Sequence, residues 1–409
     1  MNMAGHRNPN RHALVVGGSM SGLFAGLMLR RAGWDVTVVE RVKTELSGRG
    51  AGIVAQPELL ERLRRLDLDA DGLGVRIHHR KILGPAGTAT ENLECHQTTT
   101  AWERLYRLLR DAFPAANYRR DCALTGFEQR GDGVVAAFSD GETMAADLLI
   151  GADGIRSTVR QLAMPEVAPR YAGYSAWRSL IAEQDVPPDV HRDIFDVMAF
   201  GLPPGEQFLC YPVAGPNDDT RPGHRRMNVI WYRPAEEATK LPWLLTDESG
   251  KLHDISIPPP LIRREAIAEM HDAARRLAPQ FQAVVRLMSE PILQPIYDLE
   301  SPRMAVGRVA VIGDAAFVAR PHVGAGVAKA ADDAASLVSA LEAEDDVGTA
   351  LRRFEAERLP VNSRIIGHAR HLGAFLQATQ TAAERDAAGR HSSDRAVIKE
   401  TAVLDFLYS

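Results

Sequence analysis

The chain has 409 residues, of which 45% are hydrophobic and 25% charged, and a formal net charge of −5. That length exceeds one ordinary hydrophobic core and calls for two closely packed domains, while the negative charge argues against a general nucleic-acid binder. No apolar run reaches the roughly 18 residues needed to cross a bilayer, the first residues lack the apolar core of a secretory signal, and Cys95, Cys122 and Cys210 form neither a zinc spacing nor a disulfide framework, so a reduced, cytoplasmic setting without metal or membrane is expected.

Residues 11–16 form a short apolar β-type run, and Gly17-Gly18-Ser19-Met20-Ser21-Gly22 follows at once. Residues 23–31 read as a helix and 34–40 as a second strand, closed by Glu40 and Arg41. Strand, Gly-rich turn, helix, strand and acid make the dinucleotide fingerprint, with Ser19 where the second glycine usually lies. Gly17 allows the tight turn, small Ser19 admits a pyrophosphate, and Gly22 lets helix and strand pack closely. The helix N-terminus offers unpaired N–H groups and partial positive charge to the phosphates. Glu40, 18 residues beyond Gly22, can accept hydrogen bonds from a ribose.

Further along, 50–56 is Gly-rich and extended, 56–66 and 101–113 read as helices, and 133–138 and 143–150 as strands around an Asp140-Gly141 turn. His78 and His79 are adjacent on a strand, so they point to opposite faces and read as solvated residues rather than metal ligands. Residues 147–160 give a buried strand, a sharp Asp153-Gly154 turn and a helix start. From 171 to 233 short aromatic and β-branched runs (171–181, 208–213, 227–232) alternate with Pro/Gly/Asp-rich loops, the pattern of a mostly antiparallel sheet; the basic cluster 221–226 reads as a hairpin tip. A polar loop covers 247–260 and a helix 261–278. Residues 308–312 return to the buried-strand pattern and end in Gly313-Asp314, after which Pro321-His322 and Gly324-Ala325-Gly326 lead into helices 326–341 and 347–377. The fold class is α/β: a Rossmann-like dinucleotide domain with an inserted, mostly antiparallel substrate sheet and C-terminal helices. Its parts are 1–165, the sheet domain 166–300, the second part of the first domain 301–377, and a tail 378–409. Carboxyl ends of parallel strands are where such sheets bind ligands, and three of them here carry Gly or Asp.

These three segments are similar to the GxGxxG, DG and GD fingerprints of the class A flavoprotein aromatic hydroxylases, which share the p-hydroxybenzoate hydroxylase fold, over roughly residues 11–375. Residues 17–23, 46–58, 171–178, Arg320-Pro321-His322 and 328–330 most resemble the members that hydroxylate hydroxypyridines. The resemblance implies a bound FAD. It places Gly17, Gly18, Ser19, Met20, Ser21 and Gly22 at the pyrophosphate, Glu40 and Arg41 at the adenosine, and Gly52 and Ile53 beside the cofactor. Asp153 and Gly154 would support the pyrophosphate and the nicotinamide path, and Asp314 the ribityl chain. Pro321 would abut the flavin, with N–H groups of Gly324, Ala325 and Gly326 at its N1/C2=O edge. There are departures: Phe317 replaces a histidine, Ala325 and Ala328 replace Gln and Asn, and Trp102 replaces an arginine whose place Arg104 or Arg107 would take.

On the substrate side the resemblance implies Phe200, Tyr211 and Val213 from the sheet, with Pro321 and His322 from the flavin side. Tyr211 and His322 are the candidates for deprotonating a ring hydroxyl. Trp177, Trp231 and Tyr232 read as core aromatics, and Arg178 as a structural ion-pair partner. The implied activity is that of a single-component monooxygenase. NADH or NADPH reduces FAD, O₂ forms a flavin C4a-hydroperoxide, and an electron-rich hydroxylated ring, a hydroxypyridine, takes the oxygen in a pocket that excludes water. The alternatives are a FAD-dependent tailoring hydroxylase or epoxidase of a pyridine-containing or polyketide natural product and, more weakly, a non-catalytic flavin redox sensor, against which Gly313-Asp314 and Pro321 argue. No Trp-x-Trp-x-Ile-Pro segment marks a halogenase. The expected partners are the aromatic substrate, O₂ and NAD(P)H, with a homodimer or higher homo-oligomer left open.

Overall fold

Runs such as His12–Val16 and Leu148–Gly151 are apolar on both faces, which suits central strands of a parallel sheet covered on both sides. The computed structural model, which describes residues 11–46, 52–391 and 393–408, places them there. A six-stranded sheet runs, edge to edge, through Ala305–Val306, Val309–Val311, Leu148–Gly151, His12–Val16, Asp35–Val39 and Tyr118–Arg119. All pairs are parallel except the first. In register, Gly151 pairs with Val16 on one side and with Val311 on the other. Three strand ends far apart in the chain therefore open on one edge. Helix Met20–Arg31 packs on Gly326–Ala343, which packs in turn on Val347–Gly373.

A second sheet has nine strands: Phe317–Val318, Ile292–Glu300, Arg170–Ala182, Arg226–Pro234, Gln207–Val213, Met198–Gly201, Val75–Leu83, Ala89–Ala101 and Gly52–Ala55. Its central strands obey the period of two. Trp177, Trp231, Val229 and Phe208 face helices of the 188–288 region and join a core with Phe195, Met270 and Phe281. Tyr174, Ala176, Tyr211, Ile230 and Tyr232 face the other way. Arg178 pairs with Ile230 and shares that second face.

Three sequence expectations differ from this arrangement. Strands from residues 52–101 and Phe317–Val318 complete the nine-stranded sheet, so its strands do not follow the 1–165, 166–300 and 301–377 partition. Ala89–Ala101 alternates half-buried and exposed polar residues and carries no strong apolar signature. The expected helix 261–278 is instead Arg264–Ala273 and a 3₁₀ turn, and Pro279 opens a separate helix to Arg286; proline is accommodated at a helix start, where its missing N–H costs nothing. The tail 378–409, for which no element is expected, forms helices Ala382–His391 and Asp394–Glu400. The stretch 47–51, within the expected extended segment 50–56 and the 46–58 likeness, lies outside the described residues.

Gly22 shows how tightly the first turn is built. A Cβ there would stand 1.9 Å from the Gly17 carbonyl oxygen, whereas one on exposed helical Gly367 meets nothing within 4 Å. Gly22→Ala is expected to destabilise the protein by about 1–3 kcal/mol, and Gly367→Ala to be neutral or stabilising by up to about 1 kcal/mol. Thermal unfolding of the two variants checks the contrast.

Candidate active site

The Gly-rich turn admits no side chain at its first residue. Gly17 has φ +112°, and a Cβ there would lie 2.3 Å from the Ala152 carbonyl oxygen. Glu40 braces the turn from below: its carboxylate accepts the N–H of Gly18 at 2.9 Å and of Val42 at 2.9 Å, while the Tyr118 hydroxyl donates to the Gly18 carbonyl at 2.9 Å. Glu40 and Arg41 both line the cavity above the turn.

That cavity has a volume of 420 Å³. The three strand ends form its floor, with Gly17, Ser19 and Ser21 from the first, Asp153 and Gly154 from the second, and Asp314 from the third. Two helix N-termini open onto it. Ser19 precedes helix Met20–Arg31 and Ala325 precedes Gly326–Ala343, and neither end has a side-chain cap. Their N–H groups are left for a ligand, and an anion suits them best. A Cβ on Gly326 would meet nothing within 4 Å, so a flat group has room to approach that backbone.

Asp314 projects into the cavity with its side chain accessible there. The surrounding protein raises its pKa, nearby Lys329 opposes that and Asp333 reinforces it. Beneath it lies a buried polar network. Asp333 accepts the Gly313 N–H at 3.0 Å, Arg358 Nε at 2.9 Å and Asn362 Nδ2 at 3.0 Å, with Lys329 Nζ 3.9 Å away. This network fixes Gly313, at φ +59° and pressed against Ser21, and so aims Asp314. The donor set fits FAD: uncapped N–H groups for a pyrophosphate, an accessible carboxylate for ribityl hydroxyls, and a second uncapped helix for the electron-rich flavin edge.

Asp153 is used differently. Its carboxylate accepts the Thr158 N–H at 2.7 Å, the Val159 N–H at 3.2 Å and the Ser157 hydroxyl, capping helix Thr158–Ala163 while remaining on the cavity wall. Arg104 lies off the cavity, donating to the carbonyls of Gly72 and Asp218, and Arg107 binds the Asp218 carboxylate at 2.8 Å. Trp102 is the residue of that helix on the wall. Gly18, Gly22 and Ala325 act from behind the surface.

A smaller cavity of 210 Å³ adjoins the first along Ile53, Gly326 and Val327. Met198, Leu209 and Ile230 give it apolar walls; Pro321 and Gly324 bound it on the helix side. Tyr211, Tyr232, Arg178 and His322 bring polar groups to it. Burial pushes the Tyr211 phenol up to about 12 against the pull of Arg178, and pushes Tyr232 up as well. Arg178 donates to Gln294 Oε1 at 2.8 Å, while its Nε has no partner among the described residues. His322 is fully enclosed. Burial lowers its pKa well below the usual imidazole value, and Arg320 and His391 lower it further. Its Nε2 lies 2.9 Å from the Tyr174 hydroxyl, and its Nδ1 has no partner among the described residues. Arg320, held by Asp298 at 2.9–3.2 Å, sits beside the Tyr174 ring.

Of the expected substrate residues, Tyr211, Pro321 and His322 meet at this cavity. Phe200 and Val213 do not line it: both are fully buried in the sheet core, on the cavity's face of the sheet but beyond its ends. Arg178 and Tyr232 are at the cavity rather than in a structural ion pair or a sealed core. The alternation could have placed them there, since each follows a tryptophan that faces the helices. Thr401 and Ala402 also line it, and nothing in the tail's sequence signals that. His78 and His96 are exposed, and a His371, His391, Glu400 group lies off both cavities, with His391 Nδ1 2.8 Å from Glu400.

The chain matches the family model "FAD binding domain-like" over residues 171–298. It is similar to 2,6-dihydroxypyridine 3-monooxygenase of Paenarthrobacter nicotinovorans, with 33% identity over 369 residues, 89% of this chain and 91% of that one. It is also similar to 3-amino-4-hydroxybenzoate 2-monooxygenase of Streptomyces cremeus, with 32% identity over 88% of this chain and 86% of that one. Among solved structures, 2,6-dihydroxypyridine-3-hydroxylase from Arthrobacter nicotinovorans superposes with a TM-score of 0.85 at 32% identity, covering 91% of this chain and 94% of that one.

Removing the Asp314 carboxylate should weaken FAD retention without unfolding the protein. Loss of a charge-assisted hydrogen bond costs about 1.5–3 kcal/mol, so Asp314→Ala is expected to raise the FAD dissociation constant roughly ten- to hundredfold. Fluorescence titration of the apoprotein measures it, and an unchanged constant would reduce Asp314 to a turn former.

Proposed function

The chain belongs to the FAD-dependent monooxygenases that hydroxylate aromatic rings, and from that premise we propose that its substrate is a single hydroxylated N-heteroaromatic ring of the hydroxypyridine class. The observation that carries this reading is the 210 Å³ cavity, apolar on its walls and supplied with unpartnered polar groups, which meets the FAD cavity at Gly326. Sites for drug-sized ligands run to about 300–1,000 Å³, so this one suits one ring and disfavours a polyketide. The 33% identity to a dihydroxypyridine monooxygenase supports the choice of ring. We place NAD(P)H in the adjoining 580 Å³ groove, where Arg41, Arg156 and Arg178 suit a pyrophosphate. Three free cysteines support a cytoplasmic setting.

When bound, FAD supplies, with NAD(P)H and O₂, the activated oxygen atom that the ring acquires. The protein's task is to hold the ring, raise its electron density and keep water out. Tyr211 and His322 do this as hydrogen-bond donors rather than as bases. A phenol held near 12 keeps its proton at neutral pH and donates it to an acceptor. The Arg320 cation beside Tyr174 favours the Tyr174 oxygen as acceptor, so its O–H donates to His322 Nε2, and Nδ1 carries the remaining proton. With Arg178 at the same wall, these groups lower the pKa of a ring hydroxyl, so the ring binds as its more electron-rich anion with its proton left to solvent. The apolar residues and Pro321 restrict water, whose entry would divert electrons to H₂O₂.

A panel of hydroxypyridines and aminohydroxybenzoates, scored by ligand-triggered NAD(P)H oxidation and a product gaining one oxygen, tests the substrate class. A response to hydroxypyridines is expected; a response to aminohydroxybenzoates alone would move the substrate to a benzene ring. Tyr211→Phe should lower the hydroxylation rate roughly ten- to hundredfold, the worth of a hydrogen bond to a charged group, and lower product per NAD(P)H. Wild-type rate and coupling in both Tyr211→Phe and His322→Ala would remove these residues from the mechanism. Because His322 becomes charged only well below pH 6.5, kcat/KM should show no histidine limb between about pH 6 and 8; a limb in that range that disappears in His322→Ala would show that the histidine does titrate there.

A further inference from the structure

The C-terminal tail forms part of the substrate cavity. Helix Asp394–Glu400, capped by the Ser393 hydroxyl, lies against strands Val75–Leu83 and Ala89–Ala101 with Val397 and Ile398 buried. Beyond it the chain brings Thr401 and Ala402 to the cavity wall.

The segment is held by polar groups of four residues far from it in the chain, Gln56, Arg80, Gln97 and His322. Arg80, 0% exposed, donates through Nη1 to the carbonyls of Ile398 at 2.8 Å and Thr401 at 2.7 Å, and through Nη2 to Gln97 Oε1 at 2.6 Å. Gln97 and Gln56 each donate to the Ala402 carbonyl, at 2.9 and 3.1 Å. The Ala402 N–H donates to the His322 carbonyl at 2.7 Å. Ala402 has φ +55°, a conformation a non-glycine residue holds only when its surroundings impose it. Arg80 has no carboxylate in salt-bridge range among the described residues, so a buried cation relies on the tail's carbonyls and one glutamine. The Thr401 hydroxyl is buried and has no partner among the described residues.

We propose that residues 394–402 are a working wall of the substrate cavity, with Thr401 contributing a hydroxyl to a polar atom of the ring and Arg80 acting as the positioning residue that sets that wall. The inference rests on the reading of the 210 Å³ cavity as the substrate site. A bound ring would satisfy the Thr401 hydroxyl, and the seated segment would close that side of the cavity to water.

The test uses full-length, FAD-loaded protein. Thr401→Val keeps the side chain's shape and removes the hydroxyl; it should raise the KM of the hydroxypyridine substrate about two- to tenfold, the worth of one neutral hydrogen bond, with little change in kcat, and Thr401→Ser should restore it. Arg80→Met should cut product per NAD(P)H by about half or more, with H₂O₂ making up the difference, at unchanged FAD content; Arg80→Lys should recover part of the loss. Wild-type KM in Thr401→Val together with wild-type coupling in Arg80→Met would overturn the proposal. Should Arg80→Met lose FAD or fail to fold, the Thr401→Val and Thr401→Ser pair decides. If Tyr211→Phe also leaves KM and rate unchanged, the cavity itself has been misread; if Tyr211→Phe is impaired while Thr401→Val and Arg80→Met are both wild-type, only the tail's role fails.

Discussion

The site depends on the register of a parallel sheet. Gly151 stands between Val16 and Val311, so three turns that the chain reaches at very different points share one edge. A parallel ladder makes this useful because every strand ends on the same side, and each following helix turns its N-terminus toward that side. Two of those N-termini, at Ser19 and Ala325, have no side-chain cap. A cap would satisfy the helix and spoil the site. The helix after the second turn is capped by Ser157 and Asp153, which makes it self-sufficient and leaves that turn to shape the wall.

Buried charge supports this edge from behind. Lys329, Asp333 and Arg358 enclose the Gly313 turn, and Arg320 with Asp298 stands behind Tyr174 and His322. Buried ion pairs add little net stability, because desolvation offsets much of their attraction, but losing one partner leaves a charge that is costly to bury. Their effect here is geometric and electrostatic. The first group aims Asp314 into the cofactor cavity. The second places the Arg320 cation beside the Tyr174 ring and adds to the burial that lowers the pKa of His322. Arg80 follows the same logic at the far wall, with backbone carbonyls in place of a carboxylate.

The larger sheet separates two functions on its two faces. Trp177 and Trp231 anchor it to the helices behind, and the residues that follow them, Arg178 and Tyr232, reach the cavity. One residue of register decides which is which, because successive side chains on a strand point to opposite faces. Phe200 and Val213 lie on the cavity's face and still miss the cavity, since the alternation fixes the face but not the position along the strand.

The sequence by itself determined the cofactor half. Turn glycines, strand-end carboxylates and the helix that follows a strand are local features. Gly17 to Gly22, Asp153 and Asp314 could be read from short-range chemistry before any contact was known, and each is found at the cavity or directly behind it. Beyond Tyr211, Pro321 and His322, which sequence likeness already pointed to, tertiary structure decided the second cavity. Strand Ala89–Ala101 is mostly polar and joins the nine-stranded sheet by pairing with Val75–Leu83 and Gly52–Ala55. Arg104, expected to stand in for the arginine that Trp102 replaces, has its side chain drawn off to the Gly72 and Asp218 carbonyls. The tail gave no local signal, because what places Thr401 at the cavity is a set of hydrogen bonds donated by Gln56, Arg80 and Gln97 and accepted by the His322 carbonyl, up to 346 residues away. Local backbone preference is written in neighbouring residues, whereas the walls of a cavity are set by whichever distant surfaces the fold packs together.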